Sequence, residues 1–537
     1  VKPEPDNEMP QAASAHDTFW DFISLMPEAM HMVMWVMSDR AIPRSYTMME
    51  GFGVHTFRLV DARGKAKLVK FHWKPKAGTH ALVWDEAQKI AGKDPDFHRR
   101  DLWDAIDAGN FPEWELGVQV IDEKDELRYG FDLLDSTKLL PEEIVPVTKI
   151  GRMVLDRNPD NFFAETEQVA FHVGNVVPGI DFTNDPLLQA RLFSYVDTQL
   201  TRLGGPNFAE IPINRPIAPV HNHQQDGFAR HGVHTSRALY HPNSVGGGCP
   251  FLAGQTEGFV HHAEKVEGYK IRARSPSFDD HYSQAAMFLR SQTPVEYKHI
   301  VEACQFELGK VERKEIRERV LGHFAQIDES FAREVASKIG VAVPGGGKKP
   351  APGKKTTSGK APAAASAALS MIRGPADSLK GRKVAVMAAD GFTDFAAVVD
   401  ALAKAGATVH VVGPMLGILE GEDGEQVEAP KSVLHAASVE YDAVLVVGGD
   451  ASANTLSADA EALHFVQEAY KHCKTVGAIG SGAQVLRAAR VLGDDAPTSS
   501  AGVIVGDQNK LGGFAKTFIQ AMALHRHWER DPHAVPA

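Results

Sequence analysis

The polar and apolar positions of the chain change period several times, and each change marks an element. Phe19, Trp20, Phe22, Ile23 and Met26 fall at helical spacing behind Ser14-Ala-His-Asp17, which offers a cap. Met30, Met32, Val33, Met34, Trp35 and Met37 continue as a second helical run to about Ser38, a Met- and Trp-rich stripe that suits core packing. From Gly53 the period becomes two. His55, Phe57 and Leu59 share one face and Thr56, Arg58 and Val60 the other, and after a turn at Ala62–Lys65 the run Ala66 to Trp73 returns as a strand, so a hairpin is predicted. Helices are predicted at about 84–93 and 99–108, strands near 115–121, 128–132 and 145–155, and a short helix from Asn158 to near Ala170.

Residues 205–290 are poor in periodicity and rich in Pro, Gly, Asn and His, which fits a functional loop or a segment wrapped on a neighbouring subunit. Thr293-Pro294-Val295-Glu296 is a capping box, opening two or three helices to about Lys338. Residues 341–379, rich in Pro, Gly, Lys and Ala without a core pattern, read as a tether. Beyond Gly381 the pattern becomes strand, helix, strand, helix: Val384–Ala388, Thr393–Ala405, Thr408–Val412, Ala443–Val447, 459–472, Thr475–Ile479, and a last helix Phe514–Trp528. Such alternation predicts a parallel sheet covered on both faces, a flavodoxin-like three-layer unit.

At 537 residues with 43% hydrophobic content, there is enough chain for about three domains. A formal charge of −12 argues against nucleic acid as a partner. No apolar run is long enough for a membrane span, and no signal peptide is visible. Three scattered cysteines, Cys249, Cys304 and Cys473, suit a reducing compartment, and a cytoplasmic location is expected. The chain opens at Val1 without an initiator Met, so an upstream segment is expected to be missing.

Candidate chemistry centres on Asp185 to Gly204. Asp185 can cap a helix with Pro186 in its first turn, and Arg191 and Tyr195, four apart, then share a face. A fixed cation beside a phenol favours the phenolate, an anionic oxygen able to ligate haem iron. The same spacing also fits an ordinary amphipathic helix with one salt bridge. His221 and His223 lack a third ligand in a regular set and read as loop histidines. In the last unit, Gly480-Ser481 forms a strand-to-helix corner of the kind that presents nucleophiles, but no base accompanies Ser481, and a helix cap is its simpler role. This unit resembles the class I glutamine amidotransferase and DJ-1/PfpI superfamily. The nucleophile position there falls on Gly480 here, and Cys473 lies seven residues earlier, so a catalytically silent domain is expected.

Arg191-Leu-Phe-Ser-Tyr195-Val-Asp197-Thr-Gln199 resembles the proximal haem-ligand signature of the haem catalases. Met153-Val-Leu-Asp-Arg157-Asn-Pro-Asp-Asn-Phe-Phe-Ala-Glu165, Gly204-Gly-Pro-Asn207-Phe, Ile211-Pro-Ile-Asn214, His16-Asp-Thr-Phe-Trp20-Asp, Ser38-Asp-Arg40 and Met49-Glu-Gly-Phe-Gly-Val-His55-Thr-Phe agree with it. The tether and tail extend the likeness to the large-subunit (clade 2) catalases. The resemblance implies an α+β fold: part of an antiparallel β-barrel core with the proximal haem helix (1–205), a wrapping loop (206–290), an α-helical domain (291–340), a linker (341–379) and a flavodoxin-like C-terminal domain (380–537). It implies a catalase disproportionating hydrogen peroxide in protection from oxidative stress, with haem b or haem d as cofactor, assembled as a homotetramer.

The resemblance also assigns roles. Tyr195 is the implied axial ligand of the haem iron, Arg191 bonds its phenolate, His55 orients Arg191 and Asp185 orients His55. Arg202 would pair with a haem propionate, and Phe171 and Leu187 would line the proximal face. His172 stands where some large-subunit catalases carry a His covalently joined through a side-chain carbon to the ligand tyrosine, relatives that tend to carry haem d. The family's distal His, the general acid–base of O–O cleavage, and its distal Asn fall before Val1, so this chain is expected to hold the proximal half of the site only. His31, Ser38, Arg40 and Lys74 align with NADPH-binding positions of small-subunit catalases, with Trp35 replacing an aromatic there, and read as structural remnants. Two alternatives stand beside this reading: a catalase-fold haem protein with other hydroperoxide chemistry, and an inactive fragment whose C-terminal domain has a chaperone or stabilising role.

Overall fold

The structure, a computed structural model, describes residues 3–4, 7–10, 14–218, 224–233, 238–240, 243–245, 261–269, 271, 276–344, 364–372, 377–493 and 500–537. Its first half mixes helices with an antiparallel sheet whose strands run in the order Thr148–Val154, Glu113–Asp122, Ala66–Pro75, Phe57–Val60, Ile180–Phe182, with Gly51–Phe52 also pairing on Ala66–Pro75. The predicted hairpin is present, with Phe57 opposite Val69 and Val60 opposite Ala66. In the central strand Leu68, Lys70 and His72 share one face, so that face carries two polar side chains between apolar ones.

A helical layer packs beside the sheet. Trp20, Met30, Val33 and Met34 from His16–Leu25 and Met30–Val36 join Phe288, Ile300, Val320, Phe324, Phe331 and Val335 in one apolar core. The capping box at Thr293 forms as expected. The hydroxyl accepts from Glu296 N–H and the Glu296 carboxylate accepts from Thr293 N–H at 2.8 Å, opening Pro294–Gly309; Lys314–Ile327 and Glu329–Ala336 complete the predicted helices. Glu296 also accepts from Ser370 Oγ and Met371 N–H, drawing the far end of the tether onto the same cap.

The last unit is a six-stranded, all-parallel sheet in the order Lys431–Ser432, Thr408–Gly413, Lys383–Met387, Ala443–Val446, Thr475–Ile479, Val503–Gly506. Ala443–Val446 and Thr475–Ile479 are buried at each residue, because helices cover both faces and each face has its own apolar core. The two halves meet through buried charge. Arg44 donates to both oxygens of Asp442 at 2.7 Å, and Glu86 pairs with Lys474 at 2.6 Å and Arg526 at 2.8 Å.

Several expectations are corrected. Residues 128–132 form turns rather than a strand, with Phe131 packed on Leu68 and Ile121. The expected helix at 158–170 is a single π-type turn, Phe163–Glu167. His16–Leu25 has Ala15 at its cap and no side-chain bond there; Asp17 instead accepts from the N–H groups of Glu312 and Arg313, ahead of the Lys314 helix. A helix at Ser283–Ser291 lies within the stretch read as loop. The last helix is Leu511–Ala523, since His525 takes φ 67° and breaks it. Cys249, His221, His223 and most of the tether fall outside the described residues.

Candidate functional site

The predicted helix is present as Pro186–Arg202. Asp185 caps it, one carboxylate oxygen accepting from Leu187 N–H at 2.9 Å and Leu188 N–H at 3.1 Å. Pro186 fills the first position, where a missing N–H costs nothing. One turn further, the Arg191 side chain donates from Nη2 to Tyr195 Oη at 2.6 Å. Its Nη1 reaches His55 Nε2 at 2.8 Å, across 136 residues of chain. His55 Nδ1 lies 2.5 Å from the second oxygen of Asp185.

The proton positions follow from the partners. A guanidinium only donates, so His55 Nε2 accepts with its lone pair. The ring proton therefore sits on Nδ1 and is donated to the Asp185 carboxylate. His55 and Asp185 are buried, at 4% and 1% exposure, which protects this bond from competing water. Burial alone would raise the Asp185 pKa, but the bond from His55 and the N–H groups of Leu188 and Leu187 outweigh it and hold the carboxyl below its ordinary range. An unbroken line of hydrogen bonds thus links a buried carboxylate to a half-buried phenol.

Of the remaining predicted residues, the structure brings His172 to Tyr195. The His172 ring stands edge-on to the Tyr195 ring with centroids 6.2 Å apart. Both its nitrogens are engaged: Nε2 with Leu192 O at 3.0 Å, and Nδ1 accepting from Gly174 N–H at 3.1 Å. Gly174 is needed for this, since a Cβ there would lie 2.6 Å from His172 Cε1. Arg202 donates to the carbonyls of Glu167 and Val169 and to Gln199 Oε1, so it ties down the segment leading to Phe171 and His172. Gly174 was not singled out from the sequence, where nothing marks which neighbour a glycine must admit.

The donor set fits a haem. Leu188 and Gln199 are the only buried residues of the seventeen in the Pro186–Arg202 helix, while Leu187 is 48% and Phe171 77% exposed. Bare apolar side chains flanking a phenol paired with a cation suit a flat apolar group that needs an anionic oxygen ligand.

Elsewhere, Ser481 makes no cap. The helix Ala483–Ala488 is capped by Gly482 without a side-chain bond, and Gly480 at the corner takes φ 55°. His31, Arg40 and Lys74 are engaged within the chain, by Thr137 O, by Glu50 with Leu369 O, and by Glu142. Ser38 caps the turn Asp39–Ala41, and Trp35 stacks on Phe288. Among the described residues no group of three or more His, Cys, Asp or Glu side chains could hold a metal ion, and no helix is long and apolar enough to cross a membrane.

Residues 1–247 match the catalase family, residues 275–339 the catalase-related immune-responsive family, and residues 380–532 the C-terminal domain found in long catalases. The chain is 53% identical to Catalase HPII of Mycobacterium avium over 553 aligned positions, covering all of this chain and 76% of that protein. It is 54% identical to Catalase-2 of Bacillus subtilis, covering 98% of this chain and 75% of that one. Catalase HPII of Pseudomonas putida is 52% identical over the whole of this chain and 74% of its own. The chain belongs to the catalase family. As a catalase it is an enzyme of hydrogen peroxide decomposition, and the family implies a haem cofactor. Neither of the two alternative readings finds support among these relatives.

Proposed function

We propose that Tyr195, Arg191, His55 and Asp185 form the proximal half of a haem catalase site. The line of hydrogen bonds from Asp185 Oδ2 through His55 and Arg191 to Tyr195 Oη carries this reading. Tyr195 would hold the iron through its phenolate oxygen. Arg191 donates to that oxygen and fixes its direction, and His55 and Asp185 keep Arg191 from turning away. Phe171 and Leu187 offer apolar surface to the ring, and the exposed Arg202 is open to a propionate while it holds the 167–169 carbonyls. The haem, when bound, supplies the redox centre at which one peroxide is reduced and another oxidised. The chain's own part is to place one anionic oxygen and to hold its charge constant.

The group is haem b or its oxidised form haem d, which a pyridine haemochromogen spectrum distinguishes. The approach of His172 to Tyr195 supports a covalent link between them. A homotetramer is supported by the bare apolar surface at Phe171, Phe193 and Val177, more than a lone subunit would leave to water. Cytoplasmic placement is supported by the free, buried thiols of Cys304 and Cys473. The division at 1–205, 206–290, 291–340, 341–379 and 380–537 is supported by the separate apolar cores of the helical layer and the parallel sheet. The open edge at Thr148–Val154 supports a sheet that closes further into a barrel, and the parallel order of the last unit supports a flavodoxin-like layer structure.

Tyr195→Phe in the full protein tests the reading. The expected outcome is loss of oxygen evolution and of the absorption features of tyrosinate-ligated haem, with the far-UV circular dichroism unchanged. Retained oxygen evolution in Y195F would overturn it.

A further inference from the structure

One buried cation close to the tyrosine site in the fold has no role in the account of that site. Lys70 lies mid-strand in Ala66–Pro75 at 4% exposure. An ammonium has three donors, and among the described residues one of them is used: Nζ donates to Val54 O at 3.0 Å. Val54 is the residue before His55.

The backbone there is already pressed against the strand. Gly53 N–H donates to Phe71 O at 2.6 Å, and a Cβ on Gly53 would lie 2.5 Å from that oxygen. Lys70 therefore closes the second of two adjacent ties between the strand and the segment that delivers His55. Lys70, Val54 and Leu187 also line one cavity of about 420 Å³. Val54 adjoins His55 and Leu187 is two residues beyond Asp185, so the cavity touches near chain neighbours of both partners in the His55–Asp185 bond. Across the sheet, Lys70 is opposite Gln119, which is engaged by His72.

Burying an ammonium is expensive unless its charge is compensated. Burial pushes the Lys70 amine down to about 8, and the Asp185 and Asp135 carboxylates oppose that fall. Asp135 already accepts from Lys138 at 2.9 Å. Among the described residues, Asp185 has His55 and two backbone N–H groups as its direct partners.

We propose that Lys70 is a positioning residue of the tyrosine site, pinning the Val54 carbonyl so that His55 meets Arg191. The proposal rests on the reading of Tyr195 as haem ligand given above. A methionine of similar reach would fill the strand position but give up the bond to Val54. An arginine would keep the charge and the donor.

The test uses the haem-loaded full protein with Lys70→Met and Lys70→Arg. Losing the pin slackens Arg191's bond to the Tyr195 oxygen and leaves that oxygen a stronger donor, which would favour the oxidised form of an iron it holds, so K70M is expected to shift the ferric/ferrous midpoint potential negative and to alter the tyrosinate absorption bands. It is also expected to lower kcat at little change in KM. K70R restores all three toward wild type. A role confined to packing would leave the potential where it is, so an unchanged potential in a haem-replete K70M overturns the proposal. So does K70R departing as far as K70M. Should K70M fail to hold haem, hydrogen exchange in the haem-free protein decides: faster exchange confined to the Val54–Thr56 amides supports the pin, and exchange raised throughout the sheet overturns it. The underlying reading fails separately, through Y195F retaining its spectrum.

Discussion

Replacing Asp185 by Asn separates two jobs done by one carboxylate. One oxygen caps the Pro186–Arg202 helix through Leu187 and Leu188 N–H, and the other accepts from His55 at 2.5 Å. Asn caps a helix as well as Asp does, so Asp185→Asn keeps the first job. It gives up a charge-assisted bond, which for a buried pair is worth about 1.5–3 kcal/mol. With Asp185 at 1% exposure, solvent gives no discount on that figure. Asp185→Ala loses the cap as well, adding about 1 kcal/mol. The expected order of stability is wild type, then D185N about 1.5–3 kcal/mol lower, then D185A about 2.5–4 kcal/mol lower. Because a chain with several cores does not unfold in one step, the measurement is hydrogen exchange of the Pro186–Arg202 amides, which reports the local free energy. Oxygen evolution is expected to fall in both variants, since His55 no longer holds its Nδ1 proton toward an anion and Arg191 loses its brace. If D185N matched wild type in exchange and in turnover while D185A alone fell, Asp185 would be a helix cap and nothing more.

Three further outcomes follow from other contacts. Gly174→Ala places a Cβ 2.6 Å from His172 Cε1 and is expected to displace the ring, with about 1–3 kcal/mol of local destabilisation. Mass spectrometry of the wild type should show the His172 and Tyr195 peptides joined with loss of two hydrogens, and G174A should show them separate. Asp442→Ala strands the buried Arg44 and Arg382 and is expected to cost about 3–5 kcal/mol at the junction of the two halves, read by hydrogen exchange in Trp84–Lys93. Glu86 at the same junction has its pKa set by opposed effects: burial raises it, and the charges of Arg526 and Lys474 outweigh that and hold it down to about 2. A depressed carboxylate stabilises fully above its unfolded value near 4.5 and loses that contribution as pH falls toward 2. Acid should therefore loosen the junction between pH 4.5 and 2, and Glu86→Gln should flatten that slope, leaving the part due to the likewise depressed Asp442 and Asp85, while lowering stability at neutral pH.

What could be read from the chain divides by range. The Thr293 box and the Asp185 cap are local devices: residue types and spacing suffice, and both elements begin where expected. The Ser283–Ser291 helix escaped because seven of its nine residues are buried, which erases the polar face that periodicity needs. Residues 128–132 misled for the opposite reason: Tyr129 and Phe131 alternate like a strand, but they fold down onto Leu68 and Ile121 from a turn. Asp17 could be read only as a local cap, since its real partners lie 295 and 296 residues away. In the site, spacing alone brings Arg191 to Tyr195. His55 came from family likeness, and the direction of each hydrogen bond came only with the geometry. Lys70 was hidden because a lysine in an alternating strand reads as solvent-facing.

The ties between Glu86 and Arg526 and between Arg44 and Asp442 join positions 440 and 398 residues apart. A ribosome adding about 5–20 residues each second needs roughly 20–90 s to go from one member of the first tie to the other. During that interval Glu86 sits in the nascent chain without Lys474 and Arg526, and Arg44 has Asp101 at 3.7 Å but not Asp442. A product released early, lacking the last unit, keeps Glu86 without either cation for good, and a carboxylate in that position destabilises the fold around it. The buried charges thus act as a completeness check, distinguishing a finished subunit from a shortened one before either meets peroxide.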